Sequence, residues 1–100
     1  MVKSSICNAI KDRRQISIVY DTGVRVVEPY LIGTTTASNE TLRAYQVEGY
    51  SERGGLPAWR MFTLKKIGGV EILDTSFTVR PDYNPNDKGM VRFSCRVEKT

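Results

Sequence analysis

The apolar residues of this chain follow two rhythms, and the change between them divides it into elements. Between Ser4 and Arg14 they recur at Ile6, Ala9 and Ile10, the spacing of one narrow stripe on a helix. Ser4 or Ser5 is placed to cap the first turn, and Lys11, Arg13 and Arg14 suit the negative end of the helix dipole. From Ile16 the period shortens to two. Ile16, Ile18 and Tyr20 alternate with Gln15, Ser17 and Val19, as in a half-buried strand. Asp21-Thr22-Gly23 reads as a turn in which Gly23 can take φ > 0. Val24 to Thr36 then reads as one long strand interrupted at Glu28-Pro29. Proline has no N–H to donate there, so the strand must bend, bulge or lie at an edge.

After the turn Ala37-Ser38-Asn39, the segment Thr41 to Val47 is predicted as a strand with Leu42, Ala44 and Gln46 on one face and Arg43, Tyr45 and Val47 on the other. Gly49 to Pro57 is a loop with Gly54-Gly55 at its tip. Arg60 to Lys66 forms the next strand, and its apolar parity breaks between Leu64 and Ile67, so it ends or bulges near Lys65-Lys66. Gly68-Gly69 permits a tight bend into Val70-Glu71-Ile72-Leu73. Arg80 to Gly89 is a loop. Val91, Phe93, Cys95 and Val97 alternate with Arg92, Ser94, Arg96 and Glu98, the cleanest two-residue period in the chain. Such a strand closes the chain's own sheet or adds to a partner's edge.

Length and chemistry narrow the field. One hundred residues make one domain with one modest core. No apolar run approaches the roughly 20 residues of a membrane span and no secretory segment follows Met1, so a cytoplasmic location without membrane contact is expected. Cysteines in that compartment stay reduced, and Cys7 and Cys95 are read as two buried free thiols, with a disulfide tying the chain ends as the alternative. The absence of histidine removes histidine acid–base catalysis and histidine metal ligation. No phosphate-binding loop, nucleophile elbow or dinucleotide motif occurs, so neither an enzyme nor a cofactor is expected. Asp82 and Asp87 flank Asn84-Pro85-Asn86 without calcium-loop spacing, which favours turn capping over metal binding. The net charge of +4 biases the chain mildly toward anionic partners.

One helix followed by curved strands with a proline-marked bend resembles a known family. Ala9-Ile10, Ile18-Val19-Tyr20, Arg25-Val26-Val27-Glu28-Pro29-Tyr30, Leu42-Arg43-Ala44-Tyr45 and Phe62-Thr63-Leu64-Lys65-Lys66-Ile67 ahead of Val70 and Phe77 are similar, in order, to a WYL domain, a bacterial module related to Sm-type barrels. The resemblance spans Ile10 to Phe77. It implies a mainly β fold: a small Sm-like or SH3-like five-stranded barrel preceded by one helix (residues 1–77), with a C-terminal loop and strand extension of the same domain (residues 78–100). It also implies a non-enzymatic ligand-sensing or nucleic-acid-binding module of regulatory type. The chain departs from the family pattern in three places. Glu40-Thr41-Leu42 stands where the family carries Trp-Tyr-Leu, Thr63 follows the phenylalanine where arginine is usual, and Lys66 precedes the isoleucine in place of arginine. A single helix before Ile16 leaves no room for a helix-turn-helix, so a free-standing domain is expected.

Six side chains are the candidates for binding: Arg25, Arg43, Tyr45, Trp59, Arg60 and Lys66. Guanidinium and ammonium groups beside aromatic rings suit a nucleotide or a single-stranded nucleic acid, in which bases stack and phosphates pair. For Arg25 and Arg43 the competing expectation is solvent exposure or pairing with Glu28 and Glu48; for Tyr45 it is core packing, and for Trp59 it is pinning the Gly54–Pro57 loop to the barrel. The alternative function is a protein-interaction or assembly module, self-associating or binding another protein through strand edges.

Overall fold

The computed structural model describes residues 2–21, 23–51 and 54–98. Among them one helix, α1 (Val2–Asp12), precedes strands β1 (Arg14–Tyr20), β2 (Gly23–Thr35), β3 (Glu40–Gly49), β4 (Ala58–Thr63), β5 (Ile67–Ser76) and β6 (Met90–Arg96). A single 3-10 turn, Leu64–Lys66, joins β4 to β5. The six strands pair antiparallel in one sheet of order β4-β3-β2-β1-β5, with β6 also on β2. β1 takes the first half of one edge of β2 (Gly23–Val27) and β6 the second half (Leu31–Thr35), while β3 runs along the opposite edge from Arg25 to Thr34.

The expected mainly β architecture with one leading helix is present; the closed five-stranded barrel is not. β4 has only 6 residues and ends at Thr63, before the 3-10 turn, so it never runs beside β5. No pairing joins β4 to β5 among the described residues, and the sheet stays open. A side chain spans part of the gap instead, the Thr63 N–H donating to the Tyr20 hydroxyl at 3.1 Å.

Sequence and structure agree at the proline. β2 shifts register against β3 between Pro29 and Leu31, which absorbs the missing donor and resets which side chains share a face. From Val27 to Gly33 every residue of β2 is buried. That follows from cover on both sides: Ile6, Ala9 and Ile10 of α1 belong to the same core as Ile16, Ile18, Leu42, Ala44 and Phe62, and Phe77, Tyr83 and Met90 join it from the C-terminal segment. Each large aliphatic chain so buried contributes about 1.5–3 kcal/mol relative to exposure.

Several local expectations need correction. The helix ends at Asp12, not Arg14, and Ser4 and Ser5 lie within it, so neither caps it. Arg13 leaves the helical region with φ 53°, and its carbonyl accepts the Phe77 N–H at 2.9 Å. In the following turn Asp21, at φ 54°, takes the left-handed conformation expected of Gly23, while Thr22 lies outside the described residues. Gly68-Gly69 makes no tight bend. Both glycines sit inside β5, where the register against β1 slips between Val19 and Tyr20.

The largest correction concerns the cysteines. Cys7 and Cys95 form a disulfide, with Cα atoms 5.8 Å apart. Helix α1 lies against β6 as well as β1, β2 and β5, and this packing puts two half-buried sulfurs in contact that are separated by 88 positions in the sequence. A cross-link closing so long a loop removes about 4.6 kcal/mol of unfolded-chain entropy on the loop-closure account. No helix among the described residues is long and apolar enough to cross a membrane.

Gly49 tests the packing of β3 against the start of β2. It has φ +99°, and a Cβ there would fall 2.7 Å from the Arg25 Cα and closer still to the Val24 carbonyl oxygen. Gly49→Ala is therefore expected to cost about 2–3 kcal/mol in urea unfolding. Gly68→Ala, whose Cβ would meet only ordinary contacts at 3.8 Å, is expected to stay within about 0.5 kcal/mol of wild type.

Candidate functional site

The register of the central strands brings one aromatic cluster together. The slip at Pro29 leaves Glu28 and Tyr30 close enough for the Tyr30 hydroxyl to donate to Glu28 Oε1 at 3.3 Å. On β3, Arg43 and Tyr45 are two residues apart and share a face. Tyr45 is the Cα partner of Trp59 on β4, and the two rings meet edge to face with centroids 5.2 Å apart. Tyr30 lies against Trp59 (4.8 Å), Phe77 (5.0 Å) and Tyr83 (4.7 Å), so the rings of β2, β3, β4 and the C-terminal segment form one cluster.

Arg80 locks this cluster to the sheet. Its Nε and Nη2 donate to Glu28 Oε1 and Oε2 at 3.0 and 2.9 Å, a bidentate pair around a carboxylate whose residue is only 3% exposed. Its guanidinium also lies 4.2 Å from the Tyr45 ring centroid, and its backbone N–H donates to the Tyr30 hydroxyl at 2.9 Å. The hydrogen bond to Glu28 outweighs desolvation and raises the Arg80 pKa further, so the cation is permanent.

Beside the cluster opens a cleft of about 270 Å³, lined by Arg43, Trp59, Asp82, Tyr83, Asn84 and Asp87. Its outer wall is the loop after β5, and nearly every polar group in that wall has a defined partner. Trp59 Nε1 donates to Asp82 Oδ2 and Arg43 Nε to Asp87 Oδ2, both at 2.8 Å. Asp87 Oδ1 accepts the Gly89 N–H at 2.9 Å, and Asn84 Oδ1 accepts the Asn86 N–H at 3.0 Å. Turn capping thus describes Asn84 and Asp87, whereas Asp82 anchors the indole. Among the described residues no group of three or more Asp, Glu or Cys side chains could hold a metal ion.

Electrostatics follow from these partners. Burial pushes the Asp87 carboxyl up, but the Arg43 guanidinium and the Gly89 N–H pull harder the other way and hold it below the usual carboxylate range. Tyr83 donates its hydroxyl to the Val97 carbonyl at 2.8 Å, and burial pushes its pKa up to about 12. Burial likewise drives Tyr30 far above the ordinary phenol value. With Arg43 matched by Asp87, the carboxylate of Asp82 gives the lining of the cleft one more acid than base in a chain of net charge +4.

The structure divides the six sequence-derived candidates. Arg43, Tyr45 and Trp59 come together, the first and last lining the cleft and Tyr45 supporting the indole from behind. Arg25 lies elsewhere. It is 8% exposed, enclosed by the rings of Tyr20, Tyr50 and Phe62 at 5.2, 5.3 and 5.7 Å. Arg60 clamps the loop after β3 through Nη2, which donates to Ser51 Oγ at 3.3 Å and the Gly54 carbonyl at 3.0 Å. Lys66 is exposed on the 3-10 turn. Neither Glu28 nor Glu48 pairs with Arg25 or Arg43 in the observed ion pairs; Arg80 and Asp87 take those roles.

The sequence singles out neither Arg80 nor Tyr83, and it raises Asp82 and Asp87 only as calcium ligands, a role set aside for turn capping. No local spacing announces them, because the partners of Arg80 and Asp87 lie 52 and 44 positions away. A proline- and asparagine-rich loop reads as a connection whether or not it walls a cleft.

No known family profile matches the sequence, and no curated protein matches it. Among solved structures the fold resembles that of Proteasome accessory factor B/C (PafBC) of Arthrobacter aurescens, with a TM-score of 0.69 and 22% sequence identity. The match covers 84% of this chain and 13% of that one, so this chain spans a small fraction of its structural neighbour. The likeness is one of fold, and it agrees with the WYL-like architecture that residues 10–77 suggest.

Arg80→Ala is expected to cost about 2 kcal/mol in urea unfolding. That is below the usual range for breaking a buried ion pair, because the Arg80 side chain is itself 37% exposed. At high pH the raised Tyr83 pKa sets the sign. Between pH about 10 and 12 the unfolded phenol releases a proton that the folded one keeps, so stability falls as pH rises, by about 1.4 kcal/mol per pH unit for each such tyrosine. Alkaline unfolding monitored by circular dichroism is expected to show this slope, and Tyr83→Phe to lessen it by close to one proton.

Proposed function

We propose that this domain is a non-enzymatic regulatory binding module and that its ligand enters the cleft beside Trp59. The carrying observation is the cleft itself: an indole held in place by Asp82 and backed by Tyr45 and Tyr30, with Arg43 and Tyr83 on the adjoining walls. A fixed aromatic surface in a small concave site stacks a planar ligand without ordering the side chain at the moment of binding. The polar groups of the wall hold the loop in shape.

A nucleotide or a short single-stranded nucleic acid suits this site in a particular orientation. The carboxylates of Asp82 and Asp87 repel phosphate and accept hydrogen bonds from the N–H groups of a base, so the base occupies the cleft. The phosphates are assigned to a second hollow of about 380 Å³, where Arg13 and Arg80 stand with Pro81 and a single carboxylate, that of Glu98. The fold likeness to PafBC supports a WYL-like binding scaffold and leaves the ligand to experiment.

A second reading has its own observation. β6 pairs with β2 alone among the described residues, and it exposes Val91 (60%) and Phe93 (36%). An edge strand with exposed apolar side chains is a template for pairing with another chain. Light scattering that finds a monomer at every concentration ends the self-association form of this reading.

Trp59 is the only tryptophan, so intrinsic fluorescence reports the cleft directly. Titration at low salt with nucleosides, nucleotides and short oligonucleotides is expected to change its emission with saturation below about 100 μM. Arg13→Glu is expected to weaken oligonucleotides and leave nucleosides unaffected. No change in emission and no heat of binding at that concentration would overturn the nucleotide reading.

A further inference from the structure

The Cys7–Cys95 disulfide is not sealed in the core. Both sulfur-bearing residues line a groove of about 230 Å³ together with Ile10, Lys11, Arg13, Arg96, Val97 and Glu98. Lys11 and Arg13 share this groove with the disulfide against the single carboxylate of Glu98, while the Arg96 guanidinium is engaged by the Pro85 carbonyl and the Phe93 ring. Lys11 stands one helical turn after Cys7, on the same face of α1. An accessible sulfur pair in a positive surrounding is the setting in which thiolates are stabilised and exchange runs readily.

The same disulfide also stands at the head of the contacts that hold the cleft. The residue after Cys95 donates from Arg96 Nη1 to the Pro85 carbonyl at 2.8 Å. The next, Val97, accepts the Tyr83 hydroxyl at 2.8 Å and donates its own N–H to the Tyr30 carbonyl at 2.8 Å. Both Tyr83 and the Pro85 neighbour Asn84 belong to the cleft wall. β6 itself is held to β2 by a ladder whose register slips twice, between Ile32 and Gly33 and between Thr34 and Thr35.

We propose that Cys7–Cys95 is a thiol-exchange site for a net-anionic low-molecular-weight thiol, and that its reduction loosens the aromatic cleft. The thiolate attacks Cys95 Sγ, the S–S bond breaks, and its electron pair leaves on Cys7 Sγ beside Lys11. A second thiolate attacks the mixed disulfide and releases Cys95 as a thiolate. Both cysteines then take up protons. The protein disulfide has gained two electrons, and two small thiols have become one small disulfide. The gating half of the proposal rests on the cleft being the ligand site; the exchange half does not.

The test starts from the oxidised wild-type protein. Reduction by glutathione (net anionic), 2-mercaptoethanol (neutral) and cysteamine (cationic) is followed by alkylation and mass spectrometry, with rates compared at equal thiolate concentration. At low salt glutathione is expected to react about tenfold faster than cysteamine, with the neutral thiol between them. High salt, or Lys11→Glu with Arg13→Glu, is expected to collapse the series. Equal rates across the three thiols, or an order that salt does not change, would overturn the exchange site.

Gating is read without any nucleotide, so its failure is separate from failure of the binding reading. Acrylamide quenching of Trp59 is compared between oxidised protein, reduced protein and Cys7→Ser/Cys95→Ser, with circular dichroism following the sheet. Stronger quenching in the two uncrosslinked forms with the sheet intact is the expected result. Unchanged quenching overturns the gating, and so does loss of the sheet on reduction; the kinetics of the oxidised protein decide the exchange site in either case.

Discussion

The Glu28 carboxylate is the constraint on which the rest of the site depends. It lies on the central strand, almost wholly out of water, where an unpartnered charge would cost several kcal/mol. Arg80 meets it with both arms of the guanidinium fork, and Tyr30 adds its hydroxyl. This requirement draws the segment after β5 back across the sheet instead of releasing it into solvent. Once Arg80 is fixed, Asp82 reaches the Trp59 indole, Tyr83 reaches the core and Asp87 reaches Arg43. The aromatic cleft is thus a by-product of satisfying one buried acid.

What could be read from the sequence was whatever depends on neighbours along the chain. The alternation of Leu42, Ala44 and Gln46 placed three fully buried residues on one face of β3. Pro29 marked the register slip in β2, and the broken parity after Leu64 marked the end of β4 within a few residues. The pairing of Cys7 with Cys95, the Glu28–Arg80 pair and the Arg43–Asp87 pair depend on how α1, β2 and the last loop are brought together, and no spacing records that. Arg43, Tyr45 and Trp59 were visible as candidates because cationic and aromatic residues on neighbouring strands stand out. Their acidic partners were hidden in a segment whose composition says only that it turns. Arg25 stood out for the same reason as Arg43, yet its cation is held among three rings of its own chain, Tyr20, Tyr50 and Phe62. Position on a strand fixes a face, and only the packing of that face decides between a ligand and a neighbour.

Charge is likewise distributed in a way that composition conceals. The net positive excess suggests a basic binding face, but the concave aromatic site carries two carboxylates and one guanidinium already engaged. Away from it, Arg13 borders both the hollow beside Arg80 and the groove at the disulfide, with Glu98 as the one carboxylate lining each. A ligand with separate planar and anionic parts matches that division better than a compact anion does.

β2 carries β3 on one edge and both β1 and β6 on the other, so the central strand is complete only when β6 is in place. During synthesis β2 emerges well before β6. Until then Leu31, Ile32 and Gly33 keep an open hydrogen-bonding edge, and the apolar surface of Tyr30 lacks Tyr83. A ribosome-bound chain can form α1 and the β1–β2 hairpin as soon as they appear, yet it cannot bury the middle of its own sheet. Burial of the middle of the sheet is therefore expected to wait for β6, with the exposed half-edge of β2 as the surface most open to mispairing until then.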